Sequence, residues 1–158
     1  METKNYNNEK DKAYKKYKEI GKVHCPYLKT EVVFNSNGFR HLIYKNQYVK
    51  RDEKTQLFRF RLLSKAPKLL GLTTTIQEKD SYTSTMEVKE YGKKVRRKKK
   101  VQYLGFIAIV DEWKVKVIVK KIGGGKHFFW SIIPNWITNK KRDEGKRYVN
   151  FTGDLECD

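Results

Sequence analysis

The sequence predicts an α+β fold in which N-terminal helices pack on an antiparallel β-meander of about four strands. Up to residue 71, apolar residues recur at helical spacing, and from Leu72 onward Thr, Ser, Tyr and Val become frequent. Residues 103–110 are apolar at nearly every position, which is typical of a strand covered on both faces. Residues 113–121 alternate Trp or Val with mostly Lys, as a strand covered on one face does.

The first 30 residues are predicted to be a polar segment and a short helix. Residues 1–10 are polar and are expected to fray, whereas residues 11–20 place apolar side chains at helical spacing. Gly21 ends the helix, since glycine tolerates the positive φ of a helix C-terminus. The rest of the chain divides into a single α+β domain at residues 31–137 and a charged tail at residues 138–158.

A brief strand at residues 31–34 leads into three more predicted helices. The turn at residues 35–38 (Asn-Ser-Asn-Gly) supplies an N-cap for the first, and Asp52 supplies one for the second. Pro67 begins the third, since proline is tolerated in a first turn, and Gly71 ends it. These helices are expected to cover one face of the sheet.

The predicted sheet begins with a strand at residues 81–91. It is followed by Gly92 and the basic run KKVRRKKK at residues 93–100, expected at a hairpin tip or in a ragged strand extension. Asp111-Glu112 is the predicted turn between the two central strands.

A last strand is predicted at residues 126–133. The glycines at 123–125 precede it, because glycine adopts the positive φ of a tight turn, and Pro134 stops it. The next two residues, Trp136 and Ile137, are expected to fold back on the sheet.

Composition indicates a polyanionic partner. The 158 residues include 36 Lys and Arg against 18 Asp and Glu, a net charge of +18. Nucleic acid is favoured over a membrane, because no segment approaches the about 20 apolar residues of a spanning helix. Cys25 and Cys157 lie far apart without CxxC spacing, which favours free thiols, a reducing cytoplasmic compartment and no metal or other cofactor.

The last predicted strand carries the first candidate site residues. A period of two places one set on one face, His127, Phe129, Ser131 and Ile133, and the other set on the opposite face, Lys126, Phe128, Trp130 and Ile132. His127 and Ser131 would then share a surface. The histidine either caps a sheet edge or takes part in acid–base chemistry, and the residues themselves leave both interpretations open.

His41 and two arginines are the candidates on the helices. His41 lies beside the apolar stripe of its helix, either as a boundary histidine bonded to a loop carbonyl or as a general acid or base. At about 100° per residue, Arg59 and Arg61 both project among leucine and phenylalanine side chains. An arginine directed at a core needs an anionic partner, so one of them is a candidate phosphate ligand unless it reaches the surface.

Further basic side chains are candidate contacts to phosphate. The basic run contributes Lys94, Arg96 and Arg97, although a nuclear-import signal or a solvated strand edge has the same composition. The remaining candidates are Lys45 after the His41 helix and, on the last two strands, Lys120, Lys126 and Trp130. In a protein that only binds nucleic acid, Trp130 and its aromatic neighbours Tyr103 and Phe128 could stack on bases.

Helices followed by a meander, with GFRHLIYK on an early helix and GGGKHFFWSIIP on the last core strand, resemble the barnase, EndoU, colicin and RelE-like ribonuclease superfold. The similarity is greater to its phage and mobile-element branch and covers roughly residues 32–136. It implies a metal-independent endoribonuclease in which a 2′-hydroxyl attacks the adjacent phosphate and leaves a cyclic phosphate. Such a nuclease would act on RNA as a toxin or mobile-element enzyme, with an acidic antitoxin or immunity protein as partner.

Carried over by position, the resemblance makes His41 the helix histidine and Arg59 or Arg61 the basic residue after it. It makes His127 and Ser131 the polar residues of the final strand and Lys120 a phosphate ligand. The chain departs from the barnase pattern because it offers no obvious strand glutamate as base, which leaves the acid and the base unassigned.

The residues support this chemistry apart from the resemblance. RNA transesterification needs a proton acceptor, a proton donor and cations around the transition state, and two histidines among basic side chains would supply all three. The basic surroundings would lower the pKa of each histidine and favour a neutral base. The alternatives are a non-catalytic nucleic-acid-binding module and a structural or regulatory protein whose charge binds an acidic protein.

Overall fold

A computed structural model describes residues 2–134 and 155–158 as four helices, six strands and the loops between them. The helices are α1 (Glu2–Ile20), α2 (Ser36–Ile43), α3 (Glu53–Leu62) and α4 (Lys65–Leu72). The strands are β1 (Lys22–Cys25), β2 (Thr30–Val33), β3 (Glu78–Glu90), β4 (Lys93–Val110), β5 (Trp113–Ile122) and β6 (Phe128–Pro134). The predicted α+β class is confirmed.

One mixed sheet, in the order β1-β2-β6-β5-β4-β3, organises these elements. Strands β3 to β6 pair antiparallel in sequence order, as a meander does. The β1–β2 hairpin extends the sheet on the other side and joins β6 in parallel through a single residue pair, Val33 with Phe128. The expectation of about four antiparallel strands was too coarse, because a strand as short as β1 shows little alternation and a parallel junction leaves no local signal.

The helix α1 begins at Glu2, so the expectation that residues 1–10 fray is wrong for the nine of them that are described. Tyr6 explains the difference, because it is buried and its ring packs near Phe60 of α3 with centroids 6.5 Å apart. Its hydroxyl also donates to the side chain of Gln56. Tertiary packing of one aromatic side chain therefore holds first turns whose local composition is polar.

Asp52 caps α3 as the sequence predicts, and the cap of α2 is Asn35, the first residue of the predicted turn. The Asn35 side chain accepts a hydrogen bond of 3.3 Å from the Gly38 amide, and Asp52 accepts one of 2.8 Å from the Thr55 amide. The last helix, α4, begins at Lys65, before Pro67, and continues one residue beyond Gly71.

The sheet separates two apolar clusters. The larger cluster lies between the sheet and the helices and includes Leu42, Phe106 and Phe129. The smaller one comprises Val101, Tyr103, Ile118 and Leu155, with Met86 and Trp130 packed against it. The predicted charged tail therefore includes a packed part at residues 155–158, while its residues 138–154, together with Trp136 and Ile137, lie outside the described residues.

A β-bulge at Trp130 overturns the predicted faces of the last strand. Val119 pairs with Phe129 and Ile118 pairs with Ser131, which leaves Trp130 as the extra residue. Phe129 therefore packs under the helices, whereas Ser131 lies on the face of Ile118. The expectation that Phe129 and Ser131 share a face is wrong. The extra residue of the bulge shifts the alternation of faces by one position, and the sequence pattern itself shows no such shift.

Strands β3 and β4 extend past the rest of the sheet as a two-stranded ribbon. β5 pairs with β4 only from Val101 onward, whereas β3 and β4 pair over the eight residue pairs from Thr83–Lys100 to Glu90–Lys93. At about 3.3 Å per residue, this basic ribbon, residues 83–100, is about 25 Å long. The basic run therefore forms the second strand of this ribbon. The turn that connects the two strands lies at residues 91–92, and both of these residues have positive φ.

Candidate nucleic-acid interface

Helix α2 approaches β6 most closely at Gly38. A Cβ atom at this position would lie 2.2 Å from the carbonyl oxygen of Phe129 and 2.5 Å from the Tyr17 hydroxyl. Only glycine allows this approach. One turn later on α2, the His41 imidazole stacks on the Trp130 indole, with ring centroids 4.0 Å apart and 20° between the ring planes.

His41 is buried, with 3% of its surface exposed, and Arg51 binds it at two points. The Arg51 Nε donates to the His41 carbonyl at 3.1 Å, and Nη2 lies 3.1 Å from the His41 Nε2. Because a guanidinium only donates, Nε2 accepts and the imidazole is neutral. Burial, and then the charge of Arg51, lower the pKa of His41 to about 2. At neutral pH the His41 imidazole is therefore neutral, and its Nε2 accepts a hydrogen bond from Arg51.

Arg59 is buried and Arg61 is exposed. The Arg59 Nη1 donates to Ser131 Oγ at 2.6 Å and to the backbone oxygen of Asp158 at 2.5 Å, and Ser131 Oγ donates to the same oxygen at 2.8 Å. Burial lowers the pKa of Arg59 to about 9, so the side chain remains charged at neutral pH. The predicted projection of both arginines toward apolar side chains holds for Arg59 alone.

Residues 155–158 cover the cluster of His41, Arg51 and Arg59. The backbone oxygen of Glu156 accepts a hydrogen bond of 3.0 Å from Trp130 Nε1, and that of Cys157 accepts one of 3.1 Å from Arg51 Nη2. Leu155 anchors this covering segment in the smaller apolar cluster, with 2% of its surface exposed. Three successive carbonyls, at residues 156–158, therefore bind side chains of the site.

An open cleft of about 480 Å³ lies beside the His41–Trp130 stack. The lining of this α2–β6 cleft includes three cations, two aromatic rings and one carboxylate, contributed by Arg40, Lys45, Lys120, Tyr44, Trp130 and Glu156. The Lys120 Nζ lies 4.0 Å from the centroid of the Trp130 ring, and the Arg40 guanidinium lies 4.5 Å from that of Tyr44. Burial lowers the pKa of Lys120. The cleft combines positive charge with aromatic surface, which suits a nucleotide.

His127 and Lys126 lie apart from this cleft. His127 directly precedes β6 and is half-buried. Burial, and then the nearby charge of Lys121, lower the pKa of His127. Lys126 lines a different pocket, next to Asn35. The structure brings together five of the residues chosen from sequence, His41, Arg59, Ser131, Lys120 and Trp130, with Lys45 at the rim of the cleft. It leaves His127, Lys126 and Arg61 outside this group.

Sequence reasoning missed two parts of the site. Arg51 lies in what the sequence presents as a polar connector, and no local pattern distinguishes it from its neighbours. Gln56 holds it in place, because the Gln56 Nε2 donates to the Arg51 carbonyl at 2.7 Å. The covering segment had one signal, the apolar Leu155 within a charged stretch.

The basic ribbon carries different charges on its two faces. Because side chains alternate between the two faces along β4, Lys94 and Arg96 lie on one face and Arg97 lies on the other. Arg97 forms an ion pair of 2.7 Å with Glu90. The face of Lys94 and Arg96, here called the cationic face, presents five exposed cations, Lys89, Lys94, Arg96, Lys98 and Lys100. Among the described residues, these five side chains form no ion pair, and Glu87 is the single carboxylate on their face.

In comparisons with known proteins, the chain matches no protein-family model, no curated protein and no solved structure. Within residues 2–134 and 155–158, no group of three or more His, Cys, Asp and Glu residues is placed to hold a metal ion. The same residues include no helix with the length and apolar character needed to cross a membrane.

Proposed function

We propose that the protein binds nucleic acid, with RNA as the expected partner, through the cationic face of its basic ribbon. The observation that carries this proposal is the row of five exposed cations that form no ion pair among the described residues. A polyanion along this row would release the counterions of both surfaces, which is the main source of sequence-independent affinity for nucleic acid.

The spacing of the row favours a nucleic-acid backbone. Lys94, Arg96, Lys98 and Lys100 occupy alternate positions of β4, so successive cations lie about 6.6 Å apart along the strand. This interval is close to the rise of two nucleotides in one strand of B-form DNA, about 6.8 Å. A two-stranded ribbon fits the major groove of B-form DNA but not the deep, narrow groove of A-form RNA. An RNA partner would therefore be bound along its backbone or as a single strand.

The test is a salt titration of binding to single-stranded RNA, double-stranded RNA and double-stranded DNA. A variant with Lys94→Gln, Arg96→Gln and Lys98→Gln removes three cations from the cationic face. We expect the slope of log K against log salt to fall by about 2 to 3, because each phosphate contact contributes about 0.7 to 0.9.

The matched control removes three exposed lysines from α1, as Lys12→Gln, Lys15→Gln and Lys16→Gln. It changes the net charge by the same amount, and its salt slope should stay near that of the wild type. Equal losses in the two variants, or no binding of any nucleic acid by the wild type, would contradict the proposal.

A second candidate function is metal-independent cleavage of RNA in the α2–β6 cleft. The gathering of His41 with Arg51, Arg59 and Ser131 favours it, because a neutral histidine accepts a proton and guanidinium groups stabilise a phosphorane-like charge. Two features place it second. His127 lies outside the cleft, and Arg51 occupies the His41 Nε2 that would accept the proton.

A further inference from the structure

We propose that Arg51, Arg59 and Ser131 form a phosphate-binding site, and that the covering segment, residues 155–158, occupies it in place of the ligand. The inference deepens the proposed nucleic-acid function and in part rests on it, since it names where a phosphate group reaches the interior of the protein. The same chemistry would accept a backbone phosphate of RNA or free inorganic phosphate.

The donors of this site converge on two neighbouring oxygens. Arg51 Nη2 donates to the carbonyl of Cys157 at 3.1 Å, while Arg59 Nη1 and Ser131 Oγ donate to the backbone oxygen of Asp158 at 2.5 and 2.8 Å. A phosphate group presents several oxygens within a similar distance of one another. Guanidinium groups form charge-assisted hydrogen bonds with phosphate oxygens, and these bonds are often bidentate. The arrangement of the three donors therefore suits a phosphate group.

Among the side chains described around the site, positive charges outnumber negative charges. Arg51 and Arg59 lie close enough that the charge of Arg51 lowers the pKa of Arg59. The nearest buried carboxylate, that of Asp158, lies 3.5 Å from Lys116 Nζ, which also pairs with Glu78 at 3.1 Å. Among the side chains that the structure describes, this carboxylate thus serves a lysine as well as two buried guanidinium groups. A phosphate group would bring negative charge to both guanidinium groups directly.

Among the described residues, the covering segment is held mainly by polar contacts and by one buried apolar side chain, that of Leu155. Asp158 is buried as well, whereas Glu156 is exposed and Cys157 is half-buried. Tyr82 adds one exposed hydrogen bond, of 3.0 Å, from its hydroxyl to Glu156. The α2–β6 cleft, with Arg40 and Lys120 in its lining, opens directly beside residues 156 and 157. A polynucleotide in this cleft would reach the site as the covering segment leaves.

The indole N–H of Trp130 reports on the covering segment, because it donates to the Glu156 carbonyl at 3.0 Å. Its signal in a nitrogen–proton correlation spectrum can be assigned with Trp130→Phe. We expect both short single-stranded RNA and inorganic phosphate to shift this signal in the wild-type protein. Leu155→Asn should strengthen binding of each by tenfold or more, because it loosens the anchor and leaves every cation in place. The control Leu72→Asn, at a leucine that is 80% exposed, should change neither affinity.

The outcomes separate this site from the basic ribbon. If RNA binds without moving the Trp130 signal, and Leu155→Asn behaves like Leu72→Asn, the phosphate site is refuted while the ribbon proposal stands. If inorganic phosphate moves the signal but no RNA binds, the site stands and the proposed function fails. Should Leu155→Asn not fold, Tyr82→Phe removes the hydroxyl that donates to the Glu156 side chain. This variant should strengthen phosphate binding to a smaller extent, and an unchanged affinity would overturn the proposal.

Discussion

Gly38 lies against the carbonyl oxygen of Phe129 with no room for a side chain, and this contact sets the distance between α2 and β6. The His41–Trp130 stack and the α2–β6 cleft both depend on that distance, because they lie one turn further along the same helix. The packing of one glycine therefore determines whether the candidate site can form.

Gly38→Ala should destabilise the protein. The added Cβ would lie 2.2 Å from a backbone oxygen, so α2 must move away from β6 at a cost of about 1 to 3 kcal/mol. Urea unfolding followed by far-ultraviolet circular dichroism measures this loss. The control Gly71→Ala, on α4, meets its nearest atom at 3.6 Å and should be neutral or stabilising. Equal stability of Gly38→Ala and the wild type would show that α2 packs differently.

Glu112→Gly should stabilise the protein slightly, by about 0.5 kcal/mol. Asp111 and Glu112 form the β4–β5 turn with φ values of 50° and 70°, a left-handed conformation that costs a non-glycine residue about 1 kcal/mol. Part of this gain is offset by the greater freedom of glycine in the unfolded chain. Thermal unfolding provides the comparison. Lys114→Gly, within β5, should be destabilising, and the same effect from both substitutions would refute the turn assignment.

Stability should fall as the pH decreases below the ordinary histidine pKa. His41 has its pKa lowered from 6.5 to about 2 in the folded protein, so the unfolded state binds a proton that the folded state does not. This contribution is fully present above pH 6.5 and is lost progressively down to about pH 2. Between pH 7 and pH 5 the expected loss is about 2 kcal/mol.

The contribution of His41 can be isolated with two variants. His41→Asn should flatten the pH dependence of the free energy of unfolding between pH 7 and pH 5, whereas His24→Asn, at an exposed position, should not. Identical pH profiles of the wild type and His41→Asn would mean that His41 is solvated. Urea titrations at several pH values provide the measurement.

RNA cleavage in the presence of EDTA, with products that end in a 2′,3′-cyclic phosphate, is the outcome expected if the α2–β6 cleft is catalytic. His41→Ala should then lower the rate by about a hundredfold or more with RNA affinity nearly unchanged, because a general base acts mainly in the transition state. His127→Ala should have little effect, since His127 lies outside the cleft. Loss of cleavage in His127→Ala alone would reverse this assignment. Tight binding without any cleavage would leave nucleic-acid binding as the function.

The features predicted correctly are those encoded within a few residues of sequence. Asp52 and the turn at residues 35–38 were identified as helix caps because a capping side chain bonds to an amide two or three residues later. The turn at residues 111–112 and the two central strands follow from hydrophobic alternation. His41, Arg59 and Arg61 were all selected because each was expected near the apolar side of a helix, and the structure buries the first two but not Arg61.

The features that were missed depend on contacts distant in sequence. The bulge at Trp130 is a shift in the register between β6 and β5, and only this long-range pairing reveals it. Arg51 and Asp158 reach the site from a loop and from the far end of the described chain. No periodicity links these residues, so their convergence appears only when the sheet and helices are packed together.

The single pair between Val33 and Phe128 leaves a weak seam in the sheet. One parallel residue pair, with a hydrogen bond of 3.0 Å from the Val33 amide to the His127 carbonyl, connects the β1–β2 hairpin to the meander. Because α2 follows β2 directly, separation of the hairpin would draw α2 away from Trp130. Sub-global opening at this seam would expose the His41 imidazole without unfolding β3 to β6. Amide hydrogen exchange should then show one free energy of opening for β1, β2 and α2, lower than that of the meander.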